Sequence, residues 1–483
     1  MKLNSIKTLA VFGLFMSMAI MVNAQSIQYS RYMDKRGINT FEPSKKSDVK
    51  YDGFKIRVGG SFTQDYQAIK SVNKANYVAT SGSNTTNKNL LYGIIKVQDS
   101  LTSRLNGFNL AMANLNFDIQ IDDGIRVFLE NYMSARHHNE FWVKGGYIQI
   151  DKLPMFDNPD WFTKYVRVKI GHFQPNYGDF QFRRSDGGNT IFNPFAENLI
   201  LDAFTTEIGG EIYVFPSENL MLMGGATSGF INGNIQPTPD AVNSFGVVRT
   251  KRSPSLFAKI AYDKKENDLR YRVSASIYNN SNSQRNTLYA GDRTGSHYFG
   301  AMEPAQINGL PLSLGTSNAA NAGPNFTSGR FDPGVANRVT SINISPFVKY
   351  KGLELQGGLD LIKGSVYGDV SSGKWNKRAW SQFYGEAVLR FLKDEQMYIG
   401  ARYVSATGEP SGLTYSANDV GKTAGAQAKV NINRFALAAG YFPTKYMMLK
   451  LEYANQNFKD FPWRDYRYDG KFRSFMVEAV IGF

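Results

Sequence analysis

Apolar and polar residues alternate with a period of two along most of the chain after residue 53. Phe54, Ile56, Val58, Gly60 and Phe62 alternate with Lys55, Arg57 and Ser61. Ala111, Ala113, Leu115, Phe117, Ile119 and Ile121 alternate with Asn114, Asn116, Asp118 and Gln120. Leu269 to Ile277 and Met447 to Tyr453 repeat the pattern, and the chain ends with Phe475, Val477, Ala479, Ile481 and Phe483 on one face. Side chains alternate across a strand, so each row predicts one apolar and one mixed face. Soluble strands are usually about five or six residues. The rows here run nine to fourteen, near the ~9–11 residues that cross a bilayer at a tilt.

The connections alternate in length. Short turns fall at Asp122-Asp123-Gly124, 216–219, 263–268, Lys351-Gly352, 393–396 and 443–445, with a longer one at 152–164. Long polar connections fall at 67–107, 174–202, 229–253, 279–338, 364–379, 406–425 and 456–470; one, 135–140, is short. Tight periplasmic turns facing long external loops are the arrangement of a transmembrane antiparallel β-barrel. The predicted strands are 53–66, 108–121, 125–134, 141–151, 165–173, 203–214, 220–228, 254–262, 269–278, 339–350, 353–363, 380–391, 397–405, 426–442, 446–455 and 471–483. They number sixteen, an even count that returns the chain to its starting side. The same rhythm would accommodate fourteen or eighteen.

The first residues carry a different pattern. Lys2 and Lys7 precede an apolar stretch from Thr8 to Val22, closed by Asn23-Ala24. This predicts an export signal at 1–24, cleaved near Ala24. Residues 25–52 are polar and basic without a period, and read as a periplasmic tail or a lumen-associated arm. The barrel takes 53–483. No other apolar run approaches the ~20 residues of a membrane helix, so the predicted location is the outer membrane, in contact with its lipid and lipopolysaccharide.

Composition removes several chemistries. There is no cysteine among 483 residues, so disulfides, thiolate metal sites and thiol nucleophiles are excluded. Only four histidines exist, His137, His138, His172 and His297, and no nucleophile, paired-histidine metal or nucleotide motif accompanies them. No catalytic residue, metal or cofactor is predicted. The net charge is +14, or +12 without the two leader lysines. These basic residues are spread over alternating strand positions, which argues against a nucleic-acid patch.

The alternation assigns the lumen a set of basic residues: Lys55, Arg57, Arg126, Arg167, Lys169, Lys259, Arg270, Arg272, Lys349, Arg390, Arg402 and Lys450. It also assigns acids: Asp118, Glu130, Glu207, Glu211, Glu354, Asp360, Glu386 and Glu452. The modest basic excess points to small anions among the permeant solutes; pairing across strands is the alternative use of these charges. The aromatic, glycine-containing segment after the fifth strand is the candidate for an infolded constriction. It contains Arg183, Arg184 and Asp186. Its alternative is an external loop that touches a neighbouring protein.

Within that segment, Gly171-His172-Phe173-Gln174-Pro175, Tyr177-Gly178 and Phe182-Arg183-Arg184-Ser185 resemble the signature of the phosphate-selective porin O/P family. Ile208-Gly209-Gly210-Glu211 and the run Gly224 to Gly229 fit its next two strands. The spelling RRSDGGNTIFNPF is most similar to porins of Bacteroidota-type bacteria. The match covers about sixty residues; elsewhere only the strand rhythm is shared. The resemblance implies a sixteen-stranded channel, usually a homotrimer, with phosphate among the anions it passes. The functional expectation is a passive porin for small hydrophilic solutes. The rival expectation is a non-conducting barrel that serves as a structural partner for other outer-membrane proteins.

Overall fold

The computed structural model describes residues 26–483 except 75–77, 80–85, 88–93, 98–99, 135–136, 229–252, 284–285, 290–295, 304–305, 308–309, 312–328, 367–377 and 464. The predicted leader, 1–24, lies outside the described residues, as do most of the connections 229–253 and 364–379. Sixteen strands form one sheet: β1 (Lys55–Val72), β2 (Ser100–Asp122), β3 (Ile125–Ser134), β4 (His137–Ile150), β5 (Val166–Phe173), β6 (Glu207–Ser217), β7 (Leu220–Thr227), β8 (Ser255–Glu266), β9 (Leu269–Asn280), β10 (Arg338–Tyr350), β11 (Leu353–Ser365), β12 (Arg378–Phe391), β13 (Met397–Gly408), β14 (Val430–Thr444), β15 (Met447–Lys459) and β16 (Lys471–Gly482). Each pairs antiparallel with the next, and β1 pairs with β16 from Ser61↔Gly482 to Val72↔Lys471, which closes the barrel. A four-residue strand, Ile94–Val97, adds to the start of β2.

All sixteen predicted strands are present. The largest departure is at the first long connection, because β1 and β2 continue as a paired ribbon to Val72↔Thr102. Its backbone ladder needs no lipid-facing row, so hydropathy alone ended these strands early. Local chemistry makes the tight turns: Gly124 takes φ +76 between β2 and β3, a left-handed conformation that costs glycine little. The longer turn between β4 and β5 holds α1 (Asp160–Tyr165), the one α-helix among the described residues, which begins just after Pro159. Among the described residues no helix is long and apolar enough to cross a membrane.

The apolar rows point outward. On β16, Phe475, Val477, Ala479, Ile481 and Phe483 form the exposed row, while Phe472, Ser474, Met476, Glu478 and Val480 are buried inside. Ile208 and Ile212 on β6, Leu256 and Ile260 on β8, and Leu449 and Leu451 on β15 extend the outward apolar band. A closed barrel leaves no unpaired strand edge, and its apolar exterior meets hydrocarbon. The packed core lies within the lumen.

Candidate functional site

The segment 174–206 runs from β5 into the barrel and fills its middle. Pro175 lacks an N–H and ends the strand ladder, and Gly178 and Gly188 turn the chain at φ +66 and +72. Ile191, Phe192, Phe195, Ile200 and Leu201 are almost wholly buried. An interior segment must pair its backbone polar groups, and inward side chains of distant strands do this. Gln382 of β12 accepts from the Leu201 N–H at 2.7 Å and donates to the Leu201 carbonyl at 2.8 Å. Glu452 of β15 accepts from the Ala196 N–H at 2.9 Å. Tyr398 of β13 donates to the Pro194 carbonyl, and Arg434 of β14 to the Asn198 carbonyl. Of the two placements open to this segment in sequence, the structure takes the infolded one.

Residues 26–54 lie at the short-turn end of the lumen, where Gln28 meets Asp123 and Gly124 and Lys35 meets Lys445. Ile27, Tyr29 and Phe41 are buried, and the Phe41 ring meets Phe182 and Phe347 edge-on at 5.8 and 5.4 Å. The Glu42 carboxylate lies 2.8 Å from both Lys259 of β8 and Arg272 of β9. Burial favours its neutral form, but Arg272 and Lys259 outweigh that and hold its pKa well below the usual range. Lys45 reaches Asp151 at 3.2 Å, and Arg167 donates to the carbonyls of Pro43 and Ser44. Burial moves the Lys45 amine down to about 8, although Asp151 opposes the shift.

The predicted basic residues divide into two sets. Arg270, Arg272 and Arg402 are taken up by pairs on the β8–β13 side. Arg270 meets Asp263 at 2.6 Å, Arg272 meets Asp179 and Glu42 at 2.8 Å each, and Arg402 meets Glu386 at 2.9 Å. Lys55 sits at the periplasmic rim with Asp52, at 2.5 Å. The constriction candidates are matched as well. Arg183 pairs with Glu386, stands 3.9 Å from Glu354 and donates to Asn39 at 2.9 Å. Arg184 pairs with Asp202 at 2.9 Å and stacks over Phe204. Asp186 falls on the turn Ser185–Gly187, and its side chain lies outside the described residues.

The other set converges. Between the arm, the infolded segment and the wall of β1–β6 remains a cavity of 220 Å³. Its lining includes Arg57, Arg126, Arg167 and Lys169, all assigned to the lumen by alternation, together with Arg31 and Lys144. Six basic side chains thus face three lining carboxylates, Glu42, Asp118 and Glu130. Asp118 is shared between Arg57 at 2.6 Å and Arg126 at 3.0 Å. Asp151 is likewise shared between Lys45 and Arg167, the latter at 2.8 Å. Lys169 pairs with Glu211 at 3.3 Å and lies 4.5 and 4.2 Å from the Tyr147 and Phe173 ring centres. Among the described residues Arg31 has no carboxylate partner. It donates to the carbonyls of Gly37 and Phe182 and stacks on Phe192 at 3.7 Å.

No family model matches the chain, and no curated protein matches it. Solved structures similar to it include outer-membrane proteins. The outer membrane channel DcaP of Acinetobacter baumannii is 12% identical at TM-score 0.47, covering 90% of this chain and 99% of its own. In-vitro folded OmpT, an outer membrane protein of Vibrio cholerae, is 8% identical at TM-score 0.45, covering 90% and 99%. OprB of Pseudomonas putida is 10% identical at TM-score 0.44, covering 88% and 94%.

Two cavity cations were not foreseen in the sequence. Lys144 is the extra residue of a bulge: Glu130 opposes Gly145 and Asn131 opposes Val143, which leaves Lys144 between them. A bulge shifts the in-out alternation by one, so period alone misplaces it. Arg31 lies in the non-periodic arm, where no local signal gives its direction.

Proposed function

We propose that the chain is an outer-membrane porin, a passive channel for small hydrophilic solutes with a mild preference for anions, phosphate among them. The supporting observation is the cavity along β1–β6, where six cations face three carboxylates. In a narrow low-dielectric passage a small excess of one sign of charge sets the local potential, since salt screens only beyond ~8 Å at physiological strength. The selecting charge in this reading lies on Arg31, Arg57, Arg126, Lys144, Arg167 and Lys169. The test is reversal potential in planar bilayers under a potassium chloride gradient. The parent protein gives an anion-sign potential, and Lys144→Gln with Lys169→Gln moves it toward zero. A cation-sign or zero potential in the parent rejects the anion preference.

The filled lumen favours one second reading, a non-conducting barrel that acts as a structural partner in a larger outer-membrane complex. Absence of conductance steps in every salt, from protein shown to be folded, would decide for it.

A further inference from the structure

The connection between β9 and β10 sends a short piece, Ser296 to Met302, down into the outer half of the barrel beside the β1–β16 seam. Tyr298, Ala301 and Met302 are buried there. The His297 ring is fully enclosed, and its Nδ1 lies 2.8 Å from Asp65 Oδ2 on β1 and 2.7 Å from Glu478 Oε2 on β16. Asp65 and Glu478 are cross-strand partners at the closing seam, so one imidazole bridges the two strands that seal the barrel. Lys450 of β15 holds the other Glu478 oxygen. A proton on His297, together with the Lys450 amine, supplies a charge to set against each of the two carboxylates.

The flanking contacts have the same direction. Glu197 of the infolded segment accepts from the N–H groups of His297 at 3.0 Å and Tyr298 at 3.3 Å. Tyr298 donates to Glu452 at 2.6 Å, and its ring meets Phe472 of β16 edge-on. Gln67 of β1 accepts from the Phe299 N–H and donates to its carbonyl, both at 2.9 Å. The piece thus adds as a band across the seam, and the Glu197 carboxylate ties it to the infolded segment. Its apolar hold is small, with three buried side chains against the many of segment 174–206. Charge therefore contributes more of its attachment, and that charge is concentrated at one residue.

We propose that residues 296–302 form a strap that closes the outer half of the lumen, and that His297 is the pin that holds it to the β1–β16 seam. The inference goes beyond the porin reading, because strap release can be observed whether or not the barrel conducts.

The chain has no cysteine, so a single introduced thiol reports accessibility. Ala301→Cys places it in the strap, and Ser185→Cys, buried in the infolded segment, is the reference. A polar maleimide reacts slowly with both in the folded full-length protein. Adding His297→Ala is expected to raise the labelling rate at 301 at least tenfold and leave 185 slow. His297→Gln, which retains one donor, falls between. An unchanged rate at 301, or equal acceleration at both positions, overturns the pin. Faster labelling at 301 in a barrel that never conducts supports the strap and rejects the porin reading.

Discussion

Removing one ring from the N-terminal arm should open the periplasmic mouth. The arm is held by three buried apolar side chains, Ile27, Tyr29 and Phe41. At ~1.5–3 kcal/mol each they supply about 5–9 kcal/mol of burial. Segment 174–206 buries nine comparable side chains, Tyr177, Phe180, Ile191, Phe192, Phe195, Leu199, Ile200, Leu201 and Phe204, or about 13–27 kcal/mol on the same scale. The arm is the weaker of the two fillings and is expected to leave first. Phe41→Ala deletes a ring that packs on Phe182 and Phe347 and under the Arg272 guanidinium at 4.3 Å. Loss of a buried phenylalanine costs about 3–5 kcal/mol, which is a third or more of the arm's apolar hold. At about 1.36 kcal/mol per decade, the docked-to-undocked ratio falls by about 10²-fold to nearly 10⁴-fold. Two assays read this. Trypsin should cut at Lys35, Arg36, Lys45 or Lys46 much faster in the variant, and planar bilayers should show a larger conductance level more often. If cleavage and conductance both match the parent, the arm is not held by its apolar contacts and the reasoning fails.

Other outcomes follow from the same packing. Arg183→Met should lower stability by about 3 kcal/mol, the low end for breaking a buried pair, because Glu386 and Glu354 keep Arg402 and Arg390; reversal potential should not move, and a large shift would return the selecting charge to this segment. Gly440→Ala places a methyl group within 2.1 Å of the Tyr398 ring, whose hydroxyl holds Pro194; urea titration should show a loss of about 1–3 kcal/mol. Val477→Arg, in the outward row of β16, should cost ~2–4 kcal/mol in bilayer refolding if it lies at mid-membrane depth, and a neutral effect would contradict the lipid-facing assignment. Burial would lower the His297 pKa, but Asp65 and Glu478 outweigh it and raise it to about 10. A raised folded-state pKa stabilises fully below the ordinary histidine value of ~6.5 and loses that contribution as pH rises through about 10. Labelling at position 301, taken as a ratio to position 185 so that thiol ionisation cancels, should therefore be slow near neutral pH and accelerate as pH rises from about 7 to about 10, and a flat ratio would count against the pin.

The wall was legible because its information is local. In β16 the period of two separates Phe475, Val477, Ala479, Ile481 and Phe483 from the inward row within a dozen residues. Side-chain alternation and lipid exposure act on each strand alone, and short turns such as Asp122-Asp123-Gly124 fix which strands are neighbours. Strand count and the inward direction of Arg57, Arg126, Arg167 and Lys169 follow from that level, whereas the infolding candidate rests on the aromatic and glycine content of its segment, with an external loop as the alternative. The bulge at Lys144 shows the limit, since one inserted residue inverts the pattern without a sequence mark.

What fills the barrel was decided by the tertiary structure. The arm has no period because its partners alternate among β2, β5, β8, β9, β10 and β11, with no repeating face to select for. Arg183 and Arg184 read as free cations until Glu386 and Asp202 are brought beside them, and Arg31 reads as one more polar residue until it faces the cavity. His297 meets Asp65 across 232 positions of chain. Such pairings depend on the curvature that brings opposite walls within a few ångströms, and that curvature exists only once the sixteenth strand has closed on the first.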